Sequence, residues 1–279
     1  MEKTIALMLF CCVAFYQCAC PAAMPQTSSD CPDGGAEAEE YFQQGLDHHK
    51  ARKGKEWDLD KAVEYYEKAL ALGNAKAALN LGSLYIHDHF GRPDRAGRHE
   101  KAVTLFKRAV EMGCPDGYHM LSECSYEGWG MPKSRAMGDK LMRQGAEAGS
   151  LRAMANYGAM LYKSRKREEG KHWLRRALDL GFGDAGWYLG GVCGATERNA
   201  ELIIGALREG AGLGSKKCLH ALDTIYATGS YGQKRDLAYA NEFSKVAATI
   251  DTDEAPVPID LDRLVPARPV LPYQDSNTE

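Results

Sequence analysis

The sequence has no surplus of either charge. Its 35 Lys and Arg residues stand against 38 Asp and Glu, a formal net charge of −3, with the two signs interspersed. A nucleic-acid footprint needs a basic face, and the short run Arg165 to Arg167 reads as a solvated helix end instead. Nowhere is there an apolar run of the roughly 20 residues that a membrane-spanning helix takes. The His-Glu-x-x-His and Cys-x-x-Cys spacings that carry common zinc and dithiol chemistry are absent. Gly229-Ser230-Tyr231-Gly232 lacks the spacing of a nucleophile elbow, and Gly210 to Lys216 that of a phosphate-binding loop. The one group of ligand-type residues is His87-Asp88-His89, with His99 nearby. It reads as a polar insertion in a long loop, since a metal site needs three or four convergent ligands. No catalytic residue, cofactor or metal site is assigned.

What the sequence does have is a repeat. Five segments end alike: Ala69-Leu70-Ala71-Leu72-Gly73, Ala109-Val110-Glu111-Met112-Gly113, Gly145-Ala146-Glu147-Ala148-Gly149, Ala177-Leu178-Asp179-Leu180-Gly181 and Gly210-Ala211-Gly212-Leu213-Gly214. The final glycines are 40, 36, 32 and 33 residues apart, a period that means stacked helical hairpins. Each unit reads as two helices. The first carries small residues where helices approach closely, such as Ala77, Leu81, Gly82 and Tyr85. The second repeats apolar residues at helical spacing, such as Ala62, Tyr65, Tyr66 and Ala69. A glycine just past the last apolar residue is the expected left-handed helix stop.

The unit resembles the Sel1-like repeat, a relative of the tetratricopeptide repeat. Its best fit is Pro115 to Ser150, where Glu127-Gly128-Trp129-Gly130-Met131-Pro132-Lys133 joins the two helices. Ala77–Gly113 and Lys216–Ala248 also fit; Ala153–Gly181 has a shortened loop, and Ala185–Gly214 keeps Tyr188-Leu189-Gly190. A degenerate unit, Ala38–Gly73, caps the start. The resemblance implies an all-α, right-handed α-solenoid of about six Sel1-like helical hairpins over residues 38–250.

The ends differ in kind. Ile5 to Tyr16 is an unbroken apolar run of the length found at the core of a secretory signal. Ala19-Cys20 then resembles the cleavage and lipidation site of a bacterial lipoprotein, although Gln17 stands where that pattern has Leu. This places a signal at 1–20, with lipidation at Cys20 and, by the usual sorting rule for Pro21, an outer-membrane anchor. Plain cleavage near Ala22 or Ala23 is the alternative, leaving a soluble exported protein. Residues 21–37 read as a flexible linker, and 251–279 as a proline-rich extended tail that partly lies on the last repeat. Five of the nine cysteines fall in the first 31 residues. Cys124, Cys193 and Cys218 read as small core residues. Which cysteines pair, if any, is not readable from spacing.

Alignment on the Leu-Gly position puts Leu79, His119, Ala155, Trp187 and His220 at one register, with Ser83, Glu123, Ala159, Gly191 and Thr224 one turn on. On the concave side of such an array, His87, His119, Glu123, Asn156, Trp187 and His220 form the candidate partner-binding stripe. Trp187 is either a binding anchor or core filler beside Tyr188. The architecture and the tail segments Leu261 to Pro266 and Pro269 to Tyr273 resemble immunity proteins of type VI secretion phospholipase effectors. That resemblance implies a non-catalytic periplasmic protein whose partner is a secreted lipid-hydrolysing toxin, with no nucleic acid and no membrane contact beyond the lipid anchor. The alternatives are an envelope scaffold or signalling adaptor, and a Sel1-like β-lactamase-type hydrolase, whose regular cysteine pairs this chain lacks.

Overall fold

The computed structural model describes residues 31–50, 54, 58–87, 95–250 and 258–271. Six helical hairpins follow one another: α1 (Ala36–His49) with α2 (Leu59–Ala71), α3 (Ala75–Ile86) with α4 (Arg95–Glu111), α5 (Asp116–Glu127) with α6 (Arg135–Ala148), and α7 (Leu151–Lys163) with α8 (Arg167–Asp179). The fifth pairs α9 with α10 (Ala200–Gly212). Helix α9 is α-helical at Asp184–Trp187, widens into a π-helix at Tyr188–Gly194 and closes at Ala195–Glu197. The sixth pairs α11 (Lys216–Thr228) with α12 (Leu237–Thr249), and a single turn, α13 (Leu261–Leu264), lies in the tail. The protein is therefore an all-α solenoid, and the described residues contain no strand.

Local chemistry sets the helix ends. The side chains of Asp58, Asn74, Ser134, Ser150, Asn199, Ser215 and Asp236 each accept the amide three residues on, satisfying a donor that the first turn leaves free. At the other end Gly149 takes φ 106°, a left-handed turn that costs a side chain about 1 kcal/mol or more; Gly73, Gly113, Gly181 and Gly214 repeat it. Several caps also join neighbouring hairpins. Asn74 donates to Glu39 at 3.2 Å, Ser150 to Asp116 at 2.5 Å and Ser215 to Asp184 at 2.6 Å. The start of each of these first helices is thus tied to the start of the one before it.

Within hairpins the helices pack backbone to backbone where glycine permits. A Cβ on Gly158 would sit 2.8 Å from the carbonyl oxygen of Gly170, and one on Gly170 2.6 Å from that of Gly158. The core runs along the array as successive apolar clusters, centred on Tyr66, Phe106, Leu174 and Phe243. Successive first helices (α3, α5, α7, α9, α11) pack on one another, while neighbouring second helices barely touch. Elements crowd on the inside of a curve and splay on the outside, so the first helices line the inner face.

The start of the described chain departs from the sequence expectation, whereas the tail lies on the last hairpins as expected but carries a helical turn. Cys31 is bonded to Cys114 with their Cα atoms 4.4 Å apart, and the amide of Ala75 donates to Pro32 O at 2.8 Å. The end of the stretch expected to be a linker, 21–37, is therefore fastened across the C-terminal ends of α2 and α4, and α1 already begins at Ala36. In the tail, an extended course is interrupted by the turn α13, and Leu261 and Val265 are buried against the last hairpins. Cys124, Cys193 and Cys218 are free and buried, as expected.

Candidate functional site

The inner face is held in shape by side chains that cross between first helices. The Tyr188 hydroxyl on α9 donates to Asn156 Oδ1 on α7 at 3.0 Å. Asn156 Nδ2 lies 2.9 Å from His119 Nε2 on α5. An amide nitrogen only donates, so Nε2 accepts, and the ring is neutral with its proton on Nδ1. Nδ1 is buried and has no hydrogen-bond partner among the described residues. Burial, helped by the positive charge of Arg152, drives the pKa of His119 down to about 4. Glu123 lies 4.0 Å from Nε2 and is itself half exposed, too distant to reverse that. Its own carboxyl is pushed above the usual range by burial and by Glu127 one turn on.

Beside this ladder a cleft of about 680 Å³ opens between the third hairpin and α7. Glu123, Glu127 and Asp139 line it with Lys133, Arg135 and Lys163, and Met142, Met160 and Asn156 form its apolar and amide walls. Tyr126 donates to Asp139 at 2.9 Å, fixing one wall. Trp187 does not line this cleft. It is 37% exposed, and its ring meets Tyr188 edge-on at 5.2 Å between centroids. Trp187 is thus a surface residue propped by Tyr188 rather than core filler.

The structure brings together His119, Glu123 and Asn156, and joins Trp187 to them through Tyr188. Among the described residues no bond links the exposed ring of His220 to this group, and His87 ends α3 outside the cleft. Asp88 and His89 lie outside the described residues, as do Cys20 and the segment 1–20. His99 sits within α4 rather than in a loop, buried with its ring 6.0 Å from that of Trp129. The residue that sequence reasoning missed is Tyr188. Its signal was available: Asn156 and Tyr188 both precede the close-approach glycine by two positions, as does Asn80.

The ionisation of the groups at and near this face follows from their burial. His119 is neutral well below physiological pH, with its acceptor nitrogen already occupied. The thiols of Cys124, Cys193 and Cys218 are each pushed up to about 12 by burial, which leaves no thiolate to attack a substrate.

The Sel1 repeat profile matches residues 41–74, 75–114, 115–150 and 151–182, just over half of the chain. The chain belongs to the Sel1 repeat family. The matched units are its first four hairpins; the fifth and sixth have the same architecture in the structure. This Sel1 repeat protein is similar to a Sel1 repeat protein from Oxalobacter formigenes, at 21% identity and TM-score 0.56, over 77% of this chain and 88% of that one. It is also similar to immunity protein Pa5087 from Pseudomonas aeruginosa, at 19% identity and TM-score 0.69, over 88% and 94% of the two chains. Immunity protein PA5088 from the same organism gives 17% identity and TM-score 0.66, over 91% and 96%. Likeness at these identities speaks for the fold. No curated protein sequence matches the chain.

Proposed function

We propose that this Sel1 repeat protein is an immunity protein of the cell envelope. It binds a secreted lipid-hydrolysing toxin of the type VI phospholipase class and blocks it by covering its active site, with no turnover of its own. The observation that carries the protein-binding part is the braced inner face, where His119, Asn156 and Tyr188 lock three first helices and hold Trp187 out to solvent. A face already ordered before binding loses little conformational entropy when a partner docks. An exposed tryptophan beside hydrogen-bonding groups is a common interface anchor. The immunity part is supported by the near full-length likeness to Pa5087 and PA5088, and the phospholipase class by the resemblance of the tail. Export is supported by the Cys31–Cys114 bond, since such bonds persist in oxidising compartments. The mature chain then begins at or just after Cys20, with a lipid on that residue in the anchored form.

Co-purification with the toxin encoded beside it, followed by calorimetric titration, tests the reading. Trp187→Ala is expected to weaken binding roughly thirtyfold, about 2 kcal/mol, with helicity intact. His172→Ala, exposed on the second helix α8, should titrate like wild type. Equal titration of Trp187→Ala and wild type would overturn the inner-face assignment. Absence of any bound toxin would overturn immunity in favour of an envelope scaffold. Mass spectrometry of the native protein reads the start of the chain, and a reduced chain beginning at Met1 would overturn export.

A further inference from the structure

The segment after α12 returns over the outer side of the last two hairpins, and it is held unlike any repeat. Its path follows from its contacts with α10. The amide of Ile259 donates to Gly212 O at 2.7 Å, at the C-terminal end of that helix. Asp262 and Val265 O both meet Arg208 in the middle, at 2.5 and 2.6 Å. Val270 and Leu271 border residues 197–201, at and before its start. Residues 259–271 thus run antiparallel to α10. Contacts on their other side come from α12 and the loop before it: the Tyr239 hydroxyl donates to Pro266 O at 2.8 Å, and Arg268 reaches Asp236 at 2.6 Å. The tail occupies the groove left where two second helices splay apart.

The recognition has two components. Main-chain groups are read irrespective of side chain. The Gln233 amide, itself buried, donates to Leu271 O at 2.9 Å and accepts the Leu271 amide at 3.1 Å, as a neighbouring strand would. Arg208, only 12% exposed, and Tyr239 take the carbonyls of Val265 and Pro266. Side chains are read at three places. Leu261 and Val265 are 5% and 1% exposed in the cluster that holds Leu207, Leu222 and Phe243. Arg268 lies over the Tyr239 ring, its Cζ 3.8 Å from the centroid, where a guanidinium is attracted to the ring's electron-rich face. Pro266 and Pro269 have no amide to leave unsatisfied, and they hold the chain extended before it binds.

We propose that the outer groove between α10 and α12 is a peptide-binding site, and that residues 258–271 are its ligand, bound in cis. The ligand class is an extended segment with two aliphatic residues four apart and an arginine three residues beyond the second. Such recognition combines main-chain pairing for affinity with side-chain pockets for specificity. The site is separate from the inner face and does not depend on the toxin reading.

The test uses the full chain with a protease site introduced between residues 251 and 257, cut after folding. The severed wild-type tail is expected to co-elute with the array in gel filtration at micromolar concentration. Tails carrying Val265→Asp or Arg268→Ala, built into the same chain, should be retained roughly tenfold less well or lost. These changes lie in the ligand, so the groove itself is untouched, and circular dichroism of the array before and after cutting checks its helices. Elution of the wild-type tail as free peptide would overturn the proposal. So would retention of the Val265→Asp tail to the same extent as wild type.

Discussion

At Nε2 of His119 the lone pair is taken by the Asn156 amide, and this couples one residue's charge to the shape of the inner face. In the unfolded chain a histidine takes up a proton near pH 6.5; in the folded protein His119 does so only near 4. Between these values the unfolded state binds more protons, so stability falls as pH falls and is full above pH 6.5. The loss at pH 5 relative to pH 7.5 is about 2 kcal/mol from this residue. Urea unfolding at both values should show that component in wild type. It should be absent in His119→Gln, which cannot be protonated and still offers Asn156 an acceptor. A pH profile unchanged by the substitution would mean that His119 titrates normally. On the same scale, exposure is what assigns Trp187: flanked by Tyr188, it had two equally good readings until its ring was seen to face solvent.

At the scale of elements, the glycine period and the close-approach positions were legible because they answer to local geometry. A Cβ on either Gly158 or Gly170 would run into the other's carbonyl oxygen, and a backbone cannot retreat as a flexible side chain can. Gly158→Leu should therefore force α7 from α8 and cost about 3 kcal/mol, read as a lowered midpoint of thermal unfolding. An unchanged midpoint would mean that the two helices do not meet at this register. Helix α9 was less legible. Its repeat pattern predicts a plain α-helix, whereas Tyr188–Gly194 is π-helical. Gly186, Gly190 and Gly194 all lie against α10, where a Cβ would meet its backbone or Ile203. The widened turn begins at Tyr188, which stands before Gly190 as Asn156 stands before Gly158, so its place in the ladder was open to alignment even though the turn after it was not.

For the whole molecule, the Cys31–Cys114 bond closes a loop with a sequence separation of 83 that encloses the first two hairpins. A cross-link of this span restricts the unfolded chain by about 4.5 kcal/mol. In an array whose units contact only their neighbours, that loss falls on the nearest hairpins. Reduction should accordingly speed amide exchange in α1 to α4 while leaving α7 and α8 unchanged. The double variant Cys31→Ser, Cys114→Ser should match the reduced protein with or without reductant. Uniform acceleration along the chain would show that the hairpins unfold as one unit.

Six hairpins, their capping residues, their glycine stops and the buried roles of Cys124, Cys193 and Cys218 were determined by the sequence itself. The reason is that each depends on partners within one or two repeats, and the period states where those partners are. The pairing of Cys31 with Cys114, the bridge from His119 through Asn156 to Tyr188, and the seating of Leu261, Val265 and Arg268 on α10 and α12 were decided only by the tertiary structure. The first and last join residues whose separation follows no repeat; the bridge links successive repeats, 37 and 32 residues apart, and turns on which side chains reach across. Whether such residues meet depends on how far each hairpin is rotated on the last, which many small packing contacts set together.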